Sequence, residues 1–175
     1  MKTYTESEML AVWRRRLGYG EIRQDCTVEA YEGHDISGML TEMIRSWYGR
    51  LLREAPATGL PVADVRPAEV TSVGSEVMEL RLPDGCMRPM RVSAARWHRP
   101  AVIIPYMLAE PFLARTPSSY SPVNDAAPVA ALSDDGTLTV APLADGDAVT
   151  VRCVQRPAEG LYTLDEGLLN TIKAE

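Results

Sequence analysis

Apolar residues keep a helical period near the start of this chain, a two-residue period through its middle and a helical period again at its end. The strongest signal is DISGMLTEMIRSWYGRLLREAP, residues 35–56. Ile36, Met39, Leu40, Met43, Ile44, Trp47, Tyr48, Leu51 and Leu52 recur there at three- and four-residue steps, and Thr41, Glu42, Arg45, Ser46, Arg50 and Arg53 fill the opposite face. Asp35 is placed to cap this helix. Pro56 stops it, because the residue before a proline is pushed out of helical geometry. So wide an apolar stripe with two aromatics must be core, subunit interface or both.

A shorter helix precedes it. Thr5 and Glu8 have capping-box spacing, Met9, Leu10, Trp13 and Leu17 share one face, and Gly18 makes a stop. Arg14, Arg15 and Arg16 lie beside that face and read as a solvated or subunit-contacting row rather than a phosphate site. Prolines and a glycine then mark residues 57–75 as a connector between a helical segment, 1–56, and a β-rich domain, 76–158.

Within that domain Met78, Leu80 and Leu82 alternate with Val77, Glu79 and Arg81, and Pro83-Asp84-Gly85 supplies a turn. AVIIP, 101–105, reads as a short buried strand, and 106–127, rich in proline, serine and small residues, as a long loop. A meander follows: PVAAL, the turn SDDG, TLTVAP, the turn ADGD and AVTVRCV. Thr163 with Glu166 repeats the capping-box spacing, and Leu164, Leu168 and Ile172 define a C-terminal helix within 159–175 that packs with the helical segment. The fold class is α+β: amphipathic N-terminal, long central and C-terminal helices flank an antiparallel β-rich domain rather than alternating with its strands.

Composition narrows the chemistry. With 175 residues, 46% hydrophobic and 24% charged, the chain has enough apolar content for a core. A net charge of −6 works against whole-surface attraction to nucleic acid or anionic membrane. Cys26, Cys86 and Cys153 include no CxxC pair, and their odd number fits reduced, cytosolic synthesis. The N-terminus lacks a signal-peptide pattern, and no apolar run has the length of a membrane span.

The densest cluster of chemical side chains is LPDGCMRPMRVSAARWHRP, residues 82–100. Cys86 and His98 have the residue types of a nucleophile and its base, but no third orienting group accompanies them. Cys86 therefore reads as packed beside a turn, and Cys153, alternating with apolar residues, as core. Asp134-Asp135, Asp145 and Asp147 adjoin Gly136 and Gly146, as turns require, and two histidines with dispersed cysteines match no zinc spacing. No phosphate-binding glycine motif occurs. Arg81, Arg88, Arg91, Arg96 and Arg99 around Trp97 admit two readings, a single-strand nucleic-acid platform or a protein interface built on bidentate arginines. Acidic neighbours Glu76, Glu79 and Asp84 favour the interface. The candidate subunit-interface residues are Trp13, Trp47, Tyr48, Arg88, Arg91, Arg96, Trp97, Arg99 and Tyr120. Catalytic, cofactor-binding and metal-binding residues are expected to be none.

The order of features carries a resemblance. A helix ends at Glu54-Ala55-Pro56, and Arg81-Leu82-Pro83-Asp84 and Trp97-His98-Arg99-Pro100 bracket the arginine stretch. A loop with Ser118, Ser119, Tyr120 and Pro122 leads to Pro128-Val129-Ala130-Ala131-Leu132, a turn at Gly136, then Pro142, Val149, Val151, Pro157 and the Leu164–Ile172 helix. Over residues 36–172 this order resembles the head–tail connector or neck-ring proteins of tailed phages. The resemblance is to the tail-tubular or gatekeeper-like ring proteins of short-tailed phages that infect Bacteroidetes. It implies a structural virion protein made in the host cytoplasm, assembled in the neck as a homo-oligomeric ring, expected as a dodecamer. Portal and tail proteins would be its partners, and DNA would pass through the lumen without sequence-specific binding. No enzyme activity, cofactor or membrane comes with that role. A negative net charge suits such a channel, since fixed cations would hold phosphates. Two other readings stay open: a non-catalytic bacterial or mobile-element binding module, and a thiol-dependent enzyme using Cys86.

Overall fold

The computed structural model describes residues 1–18, 36–113 and 123–172. The architecture is mixed α+β, with N-terminal helices and a curled, mostly antiparallel sheet of eight strands. The chain divides into two compact units, Met1–Pro61 with Gln155–Glu175, and Val62–Val154.

The first unit contains β1 (Lys2–Thr5), α1 (Glu6–Arg16), α2 (Ile36–Glu54), a 3-10 turn at Ala57–Gly59, β10 (Leu161–Leu164) and a 3-10 helix at Glu166–Thr171. The capping box forms: Thr5 accepts from the Glu8 backbone N–H, and the Glu8 carboxylate accepts from the Thr5 N–H at 2.8 Å. Met9 and Trp13 are buried on α1, and Leu40, Ile44, Trp47, Tyr48, Leu51 and Leu52 on α2. Each such large side chain withdrawn from water contributes roughly 1.5–3 kcal/mol. Trp13 meets Trp47 edge-on at 5.6 Å, and Tyr48 meets Tyr162 at 5.2 Å, the geometry aromatic quadrupoles prefer. The expected cap at Asp35 lies outside the described residues.

The C-terminal expectation needs correction. Thr163 does not open a helix; it lies in β10, opposite Thr3 of β1, in an antiparallel pair. Gly160, at φ 75°, turns the chain into that strand. The helix that follows is a 3-10 segment capped by Asp165, whose side chain accepts from the Gly167 N–H. Glu166 instead accepts from the Tyr4 hydroxyl. Strand pairing with a segment some 160 residues away overrides the local capping signal.

The second unit holds β2 (Val62–Val65), β3 (Glu69–Gly74), β4 (Val77–Arg81), β5 (Cys86–Ala94), β6 (Ala101–Pro105), α3 (Tyr106–Leu113), β7 (Val129–Leu132), β8 (Leu138–Ala141) and most of β9 (Val149–Gln155). The strand order is β2-β9-β5-β6-β7-β8-β4-β3. Segment 57–75, expected as a connector, therefore supplies both edge strands of the sheet. Its prolines, Pro61 and Pro67, fall outside the strands.

Chain reach forces the sheet to curl. Flat, β4 and β5 would lie four strand spacings apart, about 19 Å. The five steps from Arg81 to Cys86 span at most about 18 Å fully extended. A turn closed by the Cys86 N–H on the Pro83 carbonyl shortens that further. The concave side holds Met78, Leu80, Val92, Trp97, Ala101, Ala130, Leu138, Val140, Leu143, Val149 and Val151.

Two further expectations change. The stretch 106–127 opens as helix α3, because β6 and β7 pair in parallel and such a pair requires a crossover. The meander is only a β7–β8 hairpin, turned at Gly136 with φ 85°. β9 leaves it and inserts between β2 and β5.

Candidate interaction surface

The arginine stretch 82–100 becomes the β4–β5 turn, β5 and the connection from β5 to β6. Trp97 closes a turn, its N–H donating to the Ala94 carbonyl, and its ring enters the sheet core, 8% exposed. The indole N–H donates to the Pro142 carbonyl at 2.6 Å, so the one polar atom of this side chain is satisfied where water does not reach.

Arg96, one residue earlier, faces outward into three carboxylates. Its guanidinium donates to Glu76 at 3.1 Å and to Asp147 at 3.5 Å. Nε lies 2.9 Å from Asp125 Oδ1, a charge contact without hydrogen-bond alignment. Glu76 belongs to the β3–β4 turn, Asp125 precedes β7, and Asp147 sits between β8 and β9. One side chain thus ties three connections to its own. Backbone bonds reinforce the tie: Leu143 N–H donates to the Glu76 carbonyl, His98 N–H to the Asp125 carbonyl, and Ala144 N–H to the Asp147 carboxylate. Glu76 has φ 58°, a left-handed conformation that costs a non-glycine residue energy and is held here from both backbone and side chain.

Cys86 does not meet His98. The thiol is half-buried at the start of β5 and hydrogen-bonds Cys153 of the adjoining strand β9. That bond and burial both push the Cys86 thiol up, toward the neutral form. The His98 side chain is exposed. Among the described residues no group of three or more His, Cys, Asp or Glu has metal-binding geometry. No described helix is long and apolar enough to cross a membrane.

The nine candidate interface residues separate into classes. Trp13, Trp47, Tyr48 and Trp97 are buried in the chain's own two cores. Arg96 is committed to the carboxylates, Arg88 is half-buried, and Arg91 and Arg99 are exposed. Tyr120 lies outside the described residues.

Surface that the aromatic and arginine pattern did not mark is apolar. Val102 is 72% exposed, opposite Arg91 in the β5–β6 pair, and Met107 and Leu108 of α3 are 85% and 63% exposed. AVIIP, expected as a buried strand, forms β6 but hides only Ala101 fully. Every residue of edge strand β3 is exposed, including Val70 and Val73. It contains no lysine or proline, while its register shifts between Ser72 and Gly74.

No protein-family model matches the chain, and a comparison with curated proteins finds no match.

Proposed function

We propose that this chain is a structural subunit of a ring in the head-to-tail neck of a tailed phage, binding portal and tail proteins around the DNA passage. The observation that carries the proposal is the exposure of Val102, Met107 and Leu108 in a unit whose other exposed strand, β3, offers an open edge. Head-to-tail rings need two different surfaces on each subunit, and an apolar stretch with a separate strand edge supplies two. The order of motifs across 36–172, which resembles neck-ring proteins, supplies the rest of the reading.

Replacing Met107 and Leu108 together by glutamate tests it. Sedimentation of the wild-type chain is expected to show oligomers, alone or with its cognate portal protein, and the double variant is expected to lose them with unchanged circular dichroism. Equal assembly by both proteins would overturn the assignment of this surface.

A further inference from the structure

Two cysteines far apart in sequence meet on neighbouring strands. Cys153 is fully buried on β9 with Val149 and Val151, and Cys86 opens β5, the next strand in the sheet. The Cys86 thiol hydrogen-bonds Cys153 across these neighbouring strands, so the two side chains share one side of the sheet. Two thiols in hydrogen-bond contact across neighbouring strands suit the short Cα–Cα span a disulfide needs, about 4.4–6.8 Å. Neither residue is in a disulfide in this structure.

We infer that Cys86 and Cys153 are a dithiol built to close into a cross-strand disulfide with a low-molecular-weight disulfide such as oxidised glutathione. The exposures assign the roles. Half-buried Cys86 is the thiol that reagent reaches, and buried Cys153 is the resolving thiol. Cys86, having given up its proton to solvent, attacks one sulfur of the reagent. A mixed disulfide forms, the reagent's own S–S bond breaks, and one glutathione thiolate leaves and takes up a proton. Cys153, deprotonated in turn, attacks the Cys86 sulfur, forms the protein disulfide and expels the second glutathione. Two protein thiols are oxidised and one reagent disulfide is reduced to two thiols. Burial and the hydrogen bond hold the Cys86 thiol toward its neutral form, so closure accelerates as pH rises above neutral. The resulting bond would link two strands distant in sequence and narrow the unfolded ensemble. This inference is independent of the ring assignment.

Peptide mapping by mass spectrometry under non-reducing conditions, on the full chain incubated with oxidised glutathione, tests it. The expected result is a Cys86–Cys153 linked peptide, a fall in titratable thiols from three to one, and a raised urea midpoint that dithiothreitol reverses. In Cys153→Ala the expected product is a glutathione adduct trapped at Cys86. Cys86 and Cys153 remaining as thiols while Cys26 alone reacts would overturn it, as would a bond from either of them to Cys26.

Discussion

The indole N–H of Trp97 donates to the backbone carbonyl of Pro142 at 2.6 Å inside the sheet core. It joins the β5–β6 turn to the segment leaving β8, two stretches that are not neighbours in the strand order. Trp97→Phe keeps most of the apolar ring and deletes the donor, stranding a buried carbonyl. The variant is expected to lose about 1–3 kcal/mol, the ordinary cost of an unsatisfied buried acceptor, measured by urea denaturation followed by far-UV circular dichroism. A loss no larger than that of an exposed substitution would mean that water replaces the bond.

Arg96 tests the surface tie above that core. Its side chain is 31% exposed and its three partners between 29% and 53%, so screening limits each pair. Arg96→Ala is expected to cost about 1–2 kcal/mol, the sum of three pairs of ordinary exposed size. The deficit should shrink as salt is added, because salt weakens both the attraction lost and the repulsion among the carboxylates left behind. Arg96→Lys should recover only part of the stability, since an ammonium does not reach three carboxylates as a planar guanidinium does.

Glu76 separates strain from charge. Both Glu76→Ala and Glu76→Gly remove the contact with Arg96, but only glycine adopts φ 58° without a Cβ penalty. Glu76→Gly is expected to be the more stable of the two by about 1 kcal/mol. Equal unfolding midpoints would show that the turn relaxes when the side chain is removed.

How much of this was legible in the sequence depends on the range of the interaction. Helices α1 and α2 were readable because capping and three- and four-residue periodicity are local, and the strands with clean alternation were readable for the same reason. The edge strands β2 and β3 were not, since one is half-exposed and the other exposed along its whole length, leaving no alternation to see. β10 was hidden by a capping-box pattern that its pairing with β1 overrides. Arg96 was marked as an interface residue because its carboxylates come from three separate connections, and nothing in the spacing of Glu76, Asp125 and Asp147 announces that they converge. The thiol pair was missed because Cys86 and Cys153 meet only once β9 has left the meander for the other side of the sheet.

Tyr48 gives the first unit its own pH signature. Its hydroxyl donates to the Thr163 carbonyl at 2.8 Å and accepts from the Thr163 N–H at 3.0 Å, and burial pushes its ionisation up to about 12. A group whose folded pKa is raised contributes stability that is complete below its unfolded value and lost as pH climbs through the folded one. Stability should therefore fall between pH 10.0 and about 12. Tyr48→Phe should start lower by about 1–2 kcal/mol at neutral pH, because Thr163 loses both partners, and should show less of the alkaline decline. Urea midpoints across that pH range, compared between the two proteins, check it.

Assembly in the neck of a phage particle is the proposed role. Negative-stain imaging of the purified chain, alone and mixed with a portal protein of a short-tailed phage, tests it. Closed rings of one rotational symmetry are expected, seated coaxially on the portal when it is present. A chain that stays monomeric at high concentration and leaves the portal bare would contradict it.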